Sequence, residues 1–343
     1  MKPLVSILIP AYNAEAWISD TLRCAIAQTW ERKEIIVVDD GSKDGTLSVA
    51  RQFESSQLRV VTQKNQGAAA TRNNAYAMCQ GDYIQFLDAD DLIAPDKIAR
   101  QMDALQDHPD KRTLLSGSWG KFMYRYYRAQ FTPSALWADL TPVEWLVRKM
   151  QLNLYMQTAT WLVSRELAEA AGPWDTRLLG DDDGEYFCRV LLASNGVRFV
   201  PEAKVYYRTS GASSLSYIGH SNRKMEAQWC SMELHIRYLR SLEESQRVRD
   251  ACITYLQNWV FFFDPGRPDL VRKAEEMAAS LGGTLRPPAL SWKYAWISAL
   301  FGRQQAKKAQ VVLPRMKWSF IRWLDKVLLQ LDGRKFEDAL ARL

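Results

Sequence analysis

Histidine is scarce in this chain: His108, His220 and His235 are the whole supply in 343 residues, too few for a histidine-rich metal centre. The five cysteines (Cys24, Cys79, Cys188, Cys230, Cys252) are odd in number, scattered and without a C-x-x-C pair. That pattern excludes a disulfide frame and a zinc site and points to a reducing compartment. Long apolar runs are missing too, since no window approaches the roughly eighteen uncharged apolar residues of a bilayer span. The apolar stretch after Met1-Lys2-Pro3 stops at Pro10, too short for a signal-peptide core. A cytoplasmic protein, soluble or peripheral at the inner face of the cell membrane, is the expectation. There is no internal repeat and no low-complexity segment. Net charge is small, 45 Lys and Arg against 39 Asp and Glu for +6, so the placement of charge matters more than its sum.

What is present is a 47% hydrophobic chain, rich in aromatic residues (11%), with strong periodic signals. Residues 4–9 (LVSILI) form a continuous apolar run, as a strand buried on both faces requires. A helix is expected over 14–28, with Ile18, Leu22, Ala25 and Ile26 on one side. Strands follow at 34–38, 58–62 and 83–87, separated by helices through Val49 and Phe53 and over 68–79. This alternation implies an α/β fold of βαβ units with a parallel sheet and right-handed crossovers. The pattern loosens between 113 and 210, with strands expected near 113–118, 122–127, 158–163 and 204–208 and helices near 142–150 and 183–194. Beyond about 220 only the helical period remains. The expected division is an α/β domain over 1–215 and a helical, basic and aromatic region over 216–343.

In an open α/β sheet, ligands gather at the carboxyl ends of strands, and every conspicuous polar cluster of the first 90 residues falls there. Asp88-Ala89-Asp90, followed by Asp91, ends the strand YIQFL. In extended backbone Asp88 and Asp90 would point to one side, where a hard divalent cation would relieve their repulsion. The alternative is that these acids cap the helix after Pro95. Asp39 and Asp40 end the second strand, placed either to accept hydrogen bonds from a nucleoside or to form an Asp-Gly turn and cap a helix at Ser42 or Asp44. Gly67, Arg72 and Asn73 open the third helix, where Gly67 permits close backbone approach and Arg72 could neutralise a phosphate or hold a carboxylate.

Read together, Pro10-Ala11-Tyr12-Asn13, EIIVVDDGSKDGT (34–46), the segment from Asn65-Gln66-Gly67 to Arg72-Asn73, and GDYIQFLDADD (81–91) resemble the family 2 glycosyltransferases in order and spacing. The resemblance implies a GT-A fold, in which a Rossmann-like nucleotide-binding half and an acceptor half share a mixed central sheet. It also implies an inverting transfer from a nucleotide diphosphate sugar, UDP by family frequency, with Mn²⁺ or Mg²⁺. Carried over, Pro10, Ala11 and Tyr12 would line the nucleoside pocket, Asp40 would meet the base with Asp39 in support, and Arg72 would sit beside the nucleotide near Gly67. Asp88 would reach the ribose or the metal shell, Ala89 would lie between the acids, and Asp90 would ligate the metal directly.

The family's general base lies in an acidic motif at a helix start, and GDDDGEYFCR (180–189) looks like it. Aligning Arg189 with the family's helix arginine places Asp183 at the base and Asp182 before it, with both left open as the base. Mutual repulsion among three carboxylates is expected to raise at least one pKa; the alternative is an acidic helix N-terminus favoured by the dipole. Residues 207–216 resemble the family's closing segment, in which a basic residue and hydroxyls approach the donor phosphates, although the histidine common there is missing. From 285 to 343 there are twelve Lys or Arg against four acids, interleaved with Trp292, Trp296, Trp318 and Trp323. An amphipathic helix over 314–331 suits an anionic membrane surface or a core-facing packing role; nucleic acid is not expected. The expected partners are therefore a nucleotide-sugar donor, a glycan or lipid-linked acceptor and that membrane surface, in cell-surface polysaccharide assembly. A sugar nucleotidyltransferase and a catalytically degenerate nucleotide-sugar or glycan-binding module are the rival readings.

Overall fold

The computed structural model describes residues 2–106, 110–209, 221–264, 266–287 and 291–332. Strand β1 (Val5–Ala11), helix α1 (Ile18–Ile26), β2 (Lys33–Asp39), α2 (Thr46–Arg51), β3 (Leu58–Thr62), α3 (Ala68–Met78) and β4 (Tyr83–Phe86) alternate as the apolar runs require. All four residues of β4, and the centres of β1 and β2, are buried, which is why these strands read as unbroken apolar stretches. Helix α1 starts later than its pattern suggests and buries Ile18, Leu22 and Ala25, while Ile26 is exposed.

The chain continues through β5 (Leu92–Ile93), α4 (Lys97–Asp103), β6 (Thr113–Phe122), a 3₁₀ turn at Tyr126–Arg128, β7 (Gln130–Phe131) and α5 (Pro142–Leu152). A second 3₁₀ turn at Thr158–Thr160 leads to β8 (Val163–Ser164), α6 (Arg165–Ala171), α7 (Asp182–Ala193) and β9 (Gly196–Arg208). The strands expected at 122–127 and 158–163 are therefore largely turns. In the first, Tyr124 and Arg125 donate their amides to the distant Asp325. In the second, the Gln157 side chain accepts from the Ala159 amide and closes the turn.

Two sheets result, both mixed. One has order β3-β2-β1-β4-β8, parallel except at β8, and the other has order β5-β9-β6-β7, in which only β6 and β9 run parallel. An isolated bridge between Leu115 and Leu162 connects β6 to the segment before β8.

Helices α8 (Asn222–Leu242), α9 (Gln246–Phe263), α10 (Pro268–Ser280), α11 (Ala295–Phe301) and α12 (Arg303–Asp332) complete the chain. Ser221 and Ser245 cap α8 and α9 by accepting from the Lys224 and Val248 amides. One core cluster runs from Leu8 and Ile36 in the sheet to Leu239, Phe263 and Leu270, so α8–α10 share their apolar interior with the α/β half. The expected boundary at 215 lies outside the described residues. Helix α12 runs through Pro314, beginning well before the expected 314–331 segment. Among the described residues no helix is long and apolar enough to cross a membrane.

Candidate active site

The carboxyl ends of β1 and β2 meet in register: Ala11 lies opposite Asp39, and the Asp40 amide donates to the Ala11 carbonyl at 2.8 Å. Here Pro10 is half-buried, Ala11 buried and Tyr12 exposed, so the aromatic ring stands at the rim. Asp40 turns into the protein. Its Oδ1 accepts from Gln63 Nε2 and the Gln66 amide, and its Oδ2 accepts from the Gly67 amide, each at 2.8 Å. It thereby shapes the loop ahead of α3, where Gly67 holds a φ of +91° that side chains avoid. Asp39 Oδ2 accepts from the Thr62 hydroxyl at 3.0 Å and the Ser42 amide at 3.3 Å, while its Oδ1 is buried without a hydrogen-bond partner among the described residues. The N-cap position of α2 is Gly45, not Ser42 or Asp44, although the Asp44 carboxylate accepts from the Thr46 amide at 3.0 Å.

Past β4 the chain makes a tight turn, closed by the Asp91 amide on the Asp88 carbonyl at 3.1 Å, in place of the extended run expected. The alternation survives: Asp88 and Asp90 are partly exposed, and Ala89 and Asp91 are buried. Three contacts fasten the turn from behind. The Thr21 hydroxyl donates to the Ala89 and Asp91 carbonyls at 3.0 Å, Gln157 donates to the Asp91 carboxylate, and the Arg208 amide donates to Asp91 Oδ1 at 2.7 Å. Burial, with Asp90 and Asp88 adding repulsion, pushes the Asp91 carboxyl well above the ordinary range. The Asp91 carboxyl is thus a buried prop of the turn, not a third open acid.

Arg72 connects this turn to α7. Its guanidinium donates to Asp88 Oδ1 at 2.7 Å and to Asp182 Oδ2 at 2.8 Å, and lies 4.5 Å over the Trp174 ring. Trp174 in turn stacks on Tyr186 of α7 with centroids 4.1 Å apart and planes 6° off parallel. Burial opposes the charge on Arg72, but Asp88 and Asp182 outweigh it and hold the guanidinium protonated.

The acidic cluster divides by partner. Asp181 takes a left-handed conformation (φ +55°) and its Oδ2 accepts from Ser231 at 2.6 Å and Gln228 at 3.3 Å, both on α8. Asp182 faces Arg72, which opposes the upward push of burial on its carboxyl. Asp183 accepts from the Thr158 hydroxyl at 3.0 Å and the Gly184 amide at 2.9 Å. Burial first, then repulsion from Asp182 and Asp181, lifts its pKa from 3.8 to about 7. The expected upward shift is present, although desolvation, not repulsion, is its larger cause.

Residues 6–157 match the family described as Glycosyl transferase family 2. An uncharacterized glycosyltransferase of Rickettsia typhi, RT0329, is 35% identical over 235 residues, which are 66% of this chain and 71% of that protein. The chain belongs to glycosyltransferase family 2.

The chain is also similar to the putative teichuronic acid biosynthesis glycosyltransferase TuaG of Bacillus subtilis, with 40% identity over 109 residues, 31% of this chain and 43% of TuaG. That match spans less than half of the relative's length. Among solved structures, S. aureus TarS 1–349 in complex with UDP-GlcNAc superposes with a TM-score of 0.65 at 17% identity, covering 90% of this chain and 91% of that one, a likeness of fold. That coverage is too large to end at β9, so at least part of the helical region superposes as well, and the GT-A expectation holds.

The fold brings together most of the residues singled out by motif in two sets: Asp40 with Gly67, next to Asp39, and Asp88, Arg72 and Asp182, with Asp183 beside Asp182. Arg208, the basic residue of the expected closing segment, is held against the carboxylate turn. It is 3% exposed, sandwiched between the Trp17 and Phe122 rings at 4.3 and 4.6 Å, and donates through Nε to the Asp90 carbonyl at 2.7 Å. The remainder of that closing segment, 210–216, lies outside the described residues. Thr21, Gln157, Thr158 and Trp174 escaped the motif reading, because each acts through a partner far away in sequence and none carries a local signal.

Proposed function

We propose that the chain transfers a sugar, with inversion, from a nucleotide diphosphate sugar to a hydroxyl of a glycan or lipid-linked acceptor, with Asp183 as general base. The observation that carries this reading is the Arg72 bridge. It ties the Asp88 turn at the donor end of the sheet to Asp182, and leaves the neighbouring Asp183 with hydroxyl and amide donors and a pKa near 7. A base poised near neutrality is suited to take a proton from an attacking hydroxyl.

In the proposed reaction the acceptor oxygen gives its proton to Asp183 and forms a bond to the anomeric carbon from the face opposite the leaving group. The bond from that carbon to the diphosphate oxygen breaks, and the nucleoside diphosphate departs with the electron pair. Pro10, Ala11 and Tyr12, with Asp39 and Asp40, would frame the nucleoside; the unpartnered, buried Oδ1 of Asp39 is an acceptor suited to a ligand N–H or O–H. A family 2 relative named for teichuronic acid biosynthesis supports a role in cell-surface polysaccharide assembly, and the TarS complex supports a UDP-sugar donor.

Metal dependence is part of the proposal. Asp88 and Asp90 present two hard, partly exposed carboxylates, and no group of three or more His, Cys, Asp or Glu surrounds a metal position among the described residues. That donor set fits Mg²⁺ or Mn²⁺ completed by phosphate oxygens and water, and not a cage built by protein alone. Held by Asp90 and Asp88, the ion would supply charge neutralisation for the departing diphosphate.

Calorimetric titration of UDP, GDP and dTDP, with and without Mn²⁺, tests the donor half in wild type, Asp90→Ala and Asp183→Asn. One nucleotide should bind only with metal, Asp90→Ala should lose that binding, and Asp183→Asn should keep it while losing transfer. Absence of binding by all three nucleotides would favour the degenerate binding module, and transfer surviving in Asp183→Asn would remove Asp183 as base.

A further inference from the structure

Exposed apolar side chains are not spread evenly over this molecule. Of seventeen large hydrophobic residues exposed among the described residues, twelve fall between Trp292 and Leu331, on α11, α12 and the turn before them. Trp296, Phe301, Met316, Phe320 and Trp323 are all more than half exposed. Scattered apolar residues need no explanation, but a contiguous set on two adjacent helices marks an interaction surface.

The charge on the same segment is one-sided, and the structure shows how it becomes so. Residues 291–332 contain eight Lys or Arg and two acids, Asp325 and Asp332. Both acids turn toward the catalytic half. Asp325 Oδ1 pairs with Arg125 Nε at 2.7 Å, and its Oδ2 accepts the Tyr124 and Arg125 amides at 2.9 and 3.2 Å. Asp332 accepts from the Tyr127 hydroxyl. Asp332 and Tyr127 line a cleft of about 540 Å³ with Leu328, Leu331, Arg125 and Arg128.

On a helix of 3.6 residues per turn, positions two or five removed from Asp325 lie on the far side. Those positions include Phe320, Trp323 and Val327, and Met316 lies on the same far side. Docking through Asp325 therefore turns Met316, Phe320 and Trp323 outward and engages both acids of the segment, while the exposed Lys308, Lys317 and Lys326 lie at the flanks of that apolar face.

We propose that α11 and α12 form an arm whose outward apolar face, flanked by exposed lysines, docks on an anionic lipid bilayer. This deepens the reading above, on which it rests, by naming the surface at which a lipid-linked acceptor would be met. The chemistry favours lipid over a second copy of the chain. Trp and Phe partition into the headgroup region, neighbouring Lys and Arg are drawn to anionic headgroups, and two such faces brought together would set like charges against each other.

Sedimentation of the full chain with vesicles tests this. Phosphatidylcholine vesicles containing roughly a third phosphatidylglycerol should carry the protein down, pure phosphatidylcholine far less, and added salt should weaken the effect. The double variant Phe320→Ser/Trp323→Ser replaces exposed side chains only and should fold; it should lower partitioning about tenfold or more. Nucleotide calorimetry on the same variant should match wild type, which separates failure of the arm from failure of the catalytic reading. Equal sedimentation of wild type and variant, or none with the anionic vesicles, would overturn the proposal. So would a wild-type dimer in light scattering that the double variant dissolves without any vesicle binding.

Discussion

Asp181, Asp182 and Asp183 are chemically identical and consecutive, and their partners alone distinguish them: α8 hydroxyl and amide groups for the first, a guanidinium for the second, Thr158 and the Gly184 amide for the third. The raised pKa of Asp183 has a stability consequence with a definite sign. Its folded value, about 7, lies above the ordinary 3.8, so the unfolded chain gives up this proton first as pH rises. The stability contributed by the neutral acid is present below 3.8 and is lost as pH climbs through about 7. Asp183→Asn has no charge to desolvate and should melt higher than wild type at pH 8 by an amount on the order of a few kcal/mol, with the gap closing toward pH 4. Thr158→Val removes a donor to the carboxylate and should move that crossover to higher pH. Calorimetric melting across the range decides it, and a gap that stays constant with pH would refute the assignment. If Asp183 is the base as proposed, transfer should rise over the same interval, because only the ionised form can take the proton.

At the scale of elements, the start of α7 is held from two sides, by Arg72 on α3 and by Ser231 and Gln228 on α8. Ser231→Ala would leave the Asp181 carboxylate with a weaker set of donors. It should cost about 1–3 kcal/mol in urea unfolding, and it should lower transfer with metal-dependent nucleotide binding unchanged; an unaltered unfolding midpoint would show that α8 does not brace the acidic cluster. This bracing also marks where sequence reading reaches its limit. Strands β1, β2 and β4 were legible because burial on both faces leaves an apolar run, and Asp88, Asp90 and the 181–183 cluster were legible because strand ends and helix starts advertise polar residues. The segments 122–127 and 158–163 read as strands on aromatic and β-branched content, yet form turns because Asp325, Asp91 and Asp183 draw on their amides and side chains from afar. Which of Asp182 and Asp183 the Arg72 guanidinium reaches was closed to sequence for the same reason.

The whole molecule adds a connection that no single element contains. Asp325 holds Tyr124, the Tyr124 ring lies 5.5 Å from that of Trp17, Arg208 rests 4.3 Å over Trp17, and Arg208 Nε reaches the Asp90 carbonyl. A continuous set of contacts thus runs from the amphipathic arm to the carboxylate turn. Such a set transmits a change only if its members move together, which Asp325→Ala tests directly. Amide exchange at Tyr124 and Arg125 should accelerate once their carboxylate acceptor is gone. If the stack is mechanically coupled, metal-dependent nucleotide binding should weaken by about threefold or more, in the range of couplings carried through packed side chains. Faster exchange with unchanged nucleotide affinity would show that the arm is anchored at the shoulder of the site without influencing it. The turn at Asp88–Asp90 would then owe its geometry to Thr21, Arg72, Gln157 and Arg208, without help from the arm.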